Sequence, residues 1–316
     1  MVKVAVLSGL LFSLLTLQAR ANFFSTNSKL SSRECTKIDL RSDLGEVRDQ
    51  GNVGWCFANS AADLVTYKLK KRISPVDMAI NFYDKMPQMP RTDKLSSASG
   101  GNVQGALSYS SAGFCEEDLI ASENFQIDKK CLSSAQPELS SIIIFMENLF
   151  DKNPMSLSYC QKNIITSLFK NISESDLNQV ASLFQKTSLE KISLLKDLNC
   201  KKRRISANGI IMRGGYSNDD LIDIDEQLNN SNPISINYNA YFLLKESIQN
   251  QMYNHYSNIV GRRKAANSCQ YLIRNSWGKD CSIYPSPYNT QCENGNIWVD
   301  EDVLRQYIIG IYFLKK

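Results

Sequence analysis

The segment Gln50-Gly51-Asn52-Val53-Gly54-Trp55-Cys56-Phe57-Ala58-Asn59-Ser60-Ala61 joins a glycine-containing loop to a stretch whose apolar residues recur at helical spacing. Cys56 therefore falls at or just before the first turn of a predicted helix. The free N–H groups and the dipole at a helix N-terminus favour an anion, so this position favours the thiolate of Cys56. A thiol is mostly protonated near neutral pH, and a nucleophilic cysteine needs such an environment or a basic partner.

His255 is the only histidine of the chain, 199 residues after Cys56 and 20 residues before Asn275. An imidazole can take the proton of a thiol, and an asparagine amide can hold the imidazole in one tautomer. Gln50, six residues before Cys56, can turn its side-chain NH2 towards a substrate carbonyl, with the backbone N–H of Cys56 as a second oxyanion donor. These residue types in this order are what a thiol hydrolase needs.

At these residues the chain resembles the papain family of cysteine peptidases. The family pattern is a glutamine, a glycine-rich loop, and a cysteine followed by an aromatic residue and alanine. Residues 50–58 follow that pattern. Further segments resemble motifs of the family and occur in the same order. These segments are the glycine pair 100–101, the segment 233–236, the histidine strand 254–261, the asparagine strand 271–278 and the following strand 293–299. The resemblance covers residues 37–316.

The resemblance implies an α+β fold with a helical left lobe, a β-rich right lobe and an active site between them. It implies that Cys56 is the nucleophile, His255 the general base and then acid, and Asn275 the residue that orients the imidazole. Gln50 would donate to the oxyanion. The expected reaction is acyl transfer from a peptide bond to Cys56, followed by hydrolysis of the thioester, with polypeptides as substrates.

The resemblance also assigns residues to the substrate cleft. Gly100 and Gly101 would present their backbone to the substrate. Trp277 would line the cleft and shield the hydrogen bond between His255 and Asn275 from water.

Two residues depart from the family pattern. The family commonly has a disulfide-bonded cysteine three residues before the nucleophile, where this chain has Val53. The residue before the nucleophile is usually small, and here it is Trp55. The indole either narrows the cleft or fills the space of the missing disulfide.

The first 21 residues have the composition of a secretory signal peptide. One lysine precedes an apolar run from Val4 to Leu17, and Ala19-Arg20-Ala21 matches an A-x-A cleavage pattern. The run is shorter than the roughly 20 residues that a membrane span needs, which favours cleavage after Ala21 over an anchor. We therefore expect a secreted or periplasmic mature protein with no membrane segment.

The spacing between Cys56 and His255 predicts the domain organisation. The family spacing is about 130–150 residues, so this chain has extra residues between the two, and they map to 131–205, where apolar residues recur at helical spacing. The sequence predicts a left lobe at 22–130, a helical insertion at 131–205 and a right lobe at 206–316. The insertion shapes or covers the cleft, binds a partner, or is an elaboration packed on the side.

The charge balance is weak, with a net charge of +4. It predicts neither a nucleic-acid partner nor an anionic membrane surface as a partner. The cysteines are spread without C-x-x-C pairs, and the single histidine is already assigned to the thiol. We therefore expect no metal and no cofactor.

Nine cysteines in an exported chain predict disulfides. Setting Cys56 aside leaves an even number, which fits one free nucleophile. Eight cysteines allow about 105 pairings, so any pairing from spacing is a hypothesis. The three that we consider are Cys281–Cys292, Cys115–Cys131 and Cys160–Cys200.

Three functions are consistent with the sequence. The first is an exported cysteine peptidase, an endopeptidase because no feature blocks one end of the groove. The second is a catalytically silent binding protein on the same fold, an alternative that Trp55 and the missing loop disulfide keep open. The third is an acyltransferase in which an amine, instead of water, intercepts the thioester.

Overall fold

Helices and one antiparallel sheet make up the part of the chain that the computed structural model describes, which is residues 35–86, 95–96, 100–132, 138–201, 203–215, 220–244, 253–266 and 268–315. The predicted signal peptide at 1–21 lies outside these residues. Residues Lys37–Lys316 form one unit. The α+β class predicted from the sequence is confirmed.

The helices of the described residues are α1 (Cys56–Leu69), α2 (Pro75–Lys85), α3 (Val103–Tyr109), α4 (Leu139–Asp151), α5 (Tyr159–Leu168), α6 (Glu174–Ala181), α7 (Ser188–Cys200), α8 (Asp220–Asn229) and α9 (Glu301–Tyr307). The strands are β1 (Ile38–Asp39), β2 (Met212–Gly215), β3 (Ile234–Asn239), β4 (Asn254–Ala265), β5 (Ser268–Arg274), β6 (Cys292–Glu293), β7 (Asn296–Asp300) and β8 (Ile308–Leu314).

Helix α1 is the central helix, and it begins at Cys56 as predicted. Its residues from Cys56 to Thr66 are all buried, which is the pattern of a helix enclosed on every side. It ends at Leu69, and the next residue, Lys70, adopts a left-handed backbone conformation. The helix thus holds Cys56 between the other helices and the sheet.

The sheet has the strand order β2-β8-β3-β4-β5-β7-β6, and β1 pairs with β4. Its neighbouring strands are antiparallel. In the β3–β4 register His255 lies opposite Tyr238. Asn275 directly follows β5, which pairs with β4. The histidine and asparagine strands are therefore neighbours in the sheet.

A polar contact joins α1 to the sheet. The Ser60 hydroxyl donates to Asn258 Oδ1 and is hydrogen-bonded to the Ser235 hydroxyl, with 2.6 Å between the oxygens in each case. The Asn258 amide in turn donates to the backbone oxygen of Ser60 at 3.0 Å. Because these buried groups satisfy one another, they fix the helix of Cys56 against the strand of His255.

A buried network of charged side chains also connects α1 with β5. Asp63 of α1 accepts from Arg274 Nε at 2.8 Å and also pairs with Arg48. Arg48 forms a second ion pair, with Glu117 at 3.0 Å. The two terminal nitrogens of Arg274 donate to backbone oxygens of residues 44–46. Arg274 directly precedes Asn275, so the network ties the strand end at the site to the helix of Cys56.

Four helices, α4 to α7, occupy most of the segment predicted to be a helical insertion. Ser173 and Asp176 form a capping box at the start of α6. The limits of the insertion, 131 and 205, remain predictions. No helix of the described residues is both long and apolar enough to cross a membrane.

The disulfides correct two of the three pairings considered from the sequence. Cys281–Cys292 is confirmed. The pairings Cys115–Cys131 and Cys160–Cys200 are wrong, because the bonds are Cys115–Cys200 and Cys131–Cys160.

The reason for the correct pairings lies in the tertiary contacts. The backbone of Phe114 pairs with that of Ile205, which brings the end of α7 beside Cys115. Cys160, in the first turn of α5, lies near the short helical turn that ends at Cys131. Neither contact can be predicted from the spacing of the cysteines along the chain.

Candidate active site

Cys56 is the free cysteine of the chain, and the other eight are disulfide-bonded. The side chain of Cys56 is buried, with 8% exposed. Backbone N–H groups of Tyr256, Phe57 and Cys56 itself face the sulfur. The first of these belongs to the residue after His255, so the thiol lies beside the histidine strand.

The imidazole of His255 is held by Asn275. His255 Nε2 and Asn275 Oδ1 are 2.7 Å apart, and both side chains are buried. The backbone N–H of Ser276 donates to the same Oδ1 at 2.8 Å. A backbone N–H only donates, so this contact fixes which amide atom is the oxygen. Nε2 must then be the protonated nitrogen, and the lone pair of the neutral imidazole lies on Nδ1.

Two hydroxyl groups complete the hydrogen bonds of the Asn275 amide. The Ser257 hydroxyl donates to Oδ1 at 3.2 Å, and Ser257 is itself 3.1 Å from the Tyr238 hydroxyl. Asn275 Nδ2 donates to the Tyr284 hydroxyl at 3.2 Å. Sequence reasoning missed these residues. Ser257 follows His255 by two positions and therefore projects on the same side of its strand, but no motif indicated Tyr284.

Trp277 covers the imidazole. Its ring lies 4.7 Å from the ring of His255, at an interplanar angle of 42°. Tyr284 stacks on it from further away, with ring centroids 6.0 Å apart. Trp277 is partly exposed, whereas His255 is only 2% exposed. The indole is therefore placed to keep water from the bond between His255 and Asn275.

Burial disfavours the charged form of both candidate side chains, Cys56 and His255. Burial raises the pKa of the Cys56 thiol to about 11, although the surrounding backbone N–H groups oppose this. Burial also lowers the pKa of His255 to about 4, although the hydrogen bond that its Nε2 donates to Asn275 Oδ1 opposes this shift. Within the described residues no hydrogen bond joins the thiol to the imidazole. At neutral pH both side chains are therefore expected in their neutral forms.

We expect the imidazole of His255 to titrate near pH 4 and to be neutral at pH 7, because burial disfavours its charged form. The chain has a single histidine, so one set of imidazole NMR signals reports this titration without overlap. The measurement follows those signals between about pH 3.5 and 8. A midpoint at or above the ordinary histidine pKa of about 6.5 would contradict the expectation that burial keeps His255 neutral.

Gln50 is held at the site by hydrogen bonds of its backbone and its side chain. Its N–H donates to the backbone oxygen of Ser276 at 2.9 Å, and its side-chain oxygen accepts from the Ser276 hydroxyl at 2.6 Å. Its side-chain Nε2 donates to the backbone oxygen of Val53 at 2.9 Å. An amide NH2 has two donors, so this bond leaves the second N–H of Gln50 for another acceptor.

The glycine pair lies against the nucleophile loop. Gly100 donates to the backbone oxygen of Gly54 at 3.1 Å and accepts from the Tyr83 hydroxyl at 2.7 Å. Gly100 has a φ of +84°, and a Cβ there would meet no atom within 4 Å. At Gly101 a Cβ would lie 2.6 Å from the ring of Phe57. The pair is thus held beside the loop, and Gly101 cannot carry a side chain.

The two departures from the family pattern both lie in the interior. Trp55 is 1% exposed and packs near Tyr83, with ring centroids 6.4 Å apart. Val53 is 3% exposed. The indole therefore fills the interior under the loop.

Among the residues that the structure describes, no group of three or more histidine, cysteine, aspartate or glutamate side chains is arranged to hold a metal ion.

Comparisons with known proteins give structural similarity only. No protein-family model matches the chain, and no curated protein matches its sequence. A structure from work on the mite allergens Blo t 1 and Der p 1 is 15% identical, with a TM-score of 0.47, over 90% of this chain and 72% of that one.

Two other solved structures are similar to the same degree. The digestive procathepsin L2 proteinase from the larval midgut of Tenebrio molitor is 12% identical, with a TM-score of 0.46, over 90% of this chain and 70% of that one. Procathepsin B S9 from Trypanosoma congolense is 10% identical, with a TM-score of 0.47, over 92% and 81%. In the order of its site residues and in its α+β fold, the chain is similar to papain-like cysteine peptidases.

Proposed function

We propose that the protein is an exported, papain-like cysteine peptidase that acts as an endopeptidase. The observation that carries the proposal is the 2.7 Å contact between His255 Nε2 and Asn275 Oδ1. This contact orients the imidazole so that its unprotonated nitrogen is Nδ1. The next residue of the strand, Tyr256, has a backbone N–H that faces the sulfur of Cys56. A nucleophile, a base and a group that orients the base are the parts of an acyl-transfer site.

The proposed reaction begins with attack of Cys56 Sγ on a peptide carbonyl carbon, while the thiol proton passes to His255 Nδ1. The carbonyl oxygen becomes an oxyanion, which accepts from the Cys56 backbone N–H and the second N–H of Gln50. The C–N bond then breaks, and the imidazolium gives its proton to the leaving amine. Water, deprotonated by the same nitrogen, hydrolyses the thioester and restores the thiol.

The disulfides support export. All cysteines except the proposed nucleophile are disulfide-bonded, and such bonds persist in oxidising compartments. A secreted or periplasmic location therefore fits both the bonds and the predicted signal peptide.

The helical insertion contacts the nucleophile loop in the proposed enzyme. Glu138, directly before α4, accepts from the Asn52 side chain at 3.3 Å and lies next to Gly51. These loop residues stand between Gln50 and Cys56. We infer that the insertion shapes the cleft by supporting this loop.

A catalytically silent binding protein is the second candidate, and one observation favours it. The Cys56 thiol is buried, and its pKa is raised to about 11. A thiol that stays protonated and is shielded from solvent would be inert.

The test is cleavage of a denatured protein by the chain beginning at Asn22, made under oxidising conditions, with Cys56→Ala as the control. The proposed peptidase cleaves internal peptide bonds, and the control does not. A folded wild-type protein that cleaves nothing and binds the denatured chain would support the silent binding protein. An added amine distinguishes the acyltransferase, because products would then carry the mass of the amine.

A further inference from the structure

A disulfide-closed loop follows the Asn275 segment. The bond Cys281–Cys292 closes it, and a short helical turn, Cys281–Ile283, begins it. Asp280 caps this turn by accepting from the backbone N–H of Ser282 at 2.8 Å. The turn places Ser282 and Ile283 at the surface and the next residue, Tyr284, in the interior, with 1% exposed.

Tyr284 contacts the site on two sides. Its hydroxyl accepts from Asn275 Nδ2 at 3.2 Å, and its ring stacks on Trp277 with an interplanar angle of 24°. Among the described residues, this hydroxyl is the acceptor for Asn275 Nδ2. Tyr284 therefore provides an acceptor for the NH2 group of the Asn275 amide, whereas His255 contacts the amide oxygen.

The disulfide fixes the loop to the sheet. Cys292 belongs to β6 and lies opposite Ile297 of β7. Cys281 lies three residues before Tyr284. The bond therefore anchors the start of the inward turn to a strand of the sheet, and both cysteines are partly exposed.

We propose that Tyr284 is a positioning residue for Asn275, and that the Cys281–Cys292 disulfide holds it in place. The inference rests on the function proposed above. Without the hydroxyl, Asn275 Nδ2 would be a buried donor with no acceptor, which is a costly arrangement. The amide would relieve it by rotating, and its hold on the His255 tautomer would weaken.

The test is Tyr284→Phe, which keeps the ring on Trp277 and removes the hydroxyl. We expect kcat to fall about three- to tenfold with KM unchanged. We also expect the ¹⁵N shifts of the two His255 ring nitrogens to converge at pH 7, because both tautomers become populated. Tyr288→Phe is the matched control, since Tyr288 lies in the same loop and contacts Phe242 instead of Asn275. It should change neither readout.

The double variant Cys281→Ser/Cys292→Ser tests the second half of the proposal, and it should reproduce the change in the ¹⁵N shifts. Unchanged shifts and kcat in Tyr284→Phe would overturn the role of Tyr284. Unchanged shifts in the double variant would overturn the role of the disulfide. The NMR readout needs no activity, so it distinguishes failure of this inference from failure of the proposed peptidase function, which shows as an inactive wild type.

Discussion

Replacing His255 by glutamine is expected to lower kcat/KM for peptide hydrolysis by at least about 10³-fold. Glutamine has a similar reach but cannot take a proton from the Cys56 thiol. The pKa of that thiol is raised to about 11 by burial, so almost none of it ionises without a base. The chain has no second histidine to take over this role. The measurement compares steady-state cleavage of one peptide by the wild type and the variant at pH 7.

The control for this prediction is Lys264→Gln. Lys264 is exposed near the far end of β4, the same strand as His255. Its replacement should leave kcat/KM unchanged. If the His255 variant is folded and loses less than about tenfold, the imidazole is not the base, and another group must accept the proton.

Replacing Asp63 by alanine is expected to lower the free energy of unfolding by about 3–5 kcal/mol. Asp63 pairs with both Arg48 and Arg274 in the interior. Burial opposes its ionisation, but Arg274 and Arg48 together hold its pKa below the usual value. Alanine would leave two buried guanidinium groups without this carboxylate, and removing one partner of a buried ion pair is strongly destabilising.

Urea denaturation at pH 7 measures this effect. Glu46→Ala is the control, because Glu46 forms an exposed ion pair with Lys279. Exposed pairs contribute little to stability, so the control should unfold at the wild-type urea concentration. A loss below about 1 kcal/mol in Asp63→Ala would mean that the network does not hold α1 to β5.

The parts of the site that depend on residues close together in the chain could be predicted from the sequence. The helix at Cys56 followed from glycines before an apolar periodic segment, and α1 begins at that residue. The strands β4, β5 and β7 lie in or across the segments that resemble the family's histidine strand, asparagine strand and following strand. The pairing of His255 with Asn275 was implied by the resemblance, and the structure brings the two side chains together.

The rest depends on contacts between residues far apart in the chain. Two of the three disulfide pairings were wrong, because helix α7 packs so that Cys200 at its end meets Cys115. Tyr284 was missed, because its position depends on how a disulfide-closed loop folds back over Trp277. The family pattern gave no signal for Asp63, since only the folded chain shows that it contacts two arginines.

The most direct test of the site is the mass of the folded wild-type protein after reaction with a thiol-directed peptidyl epoxide at pH 7. A working site predicts one adduct, located on Cys56 by peptide mapping, and a much slower reaction in His255→Gln. Folded wild-type protein that gains no mass, or that reacts as fast without the imidazole as with it, would contradict the claim that Cys56, His255 and Asn275 form a working nucleophile.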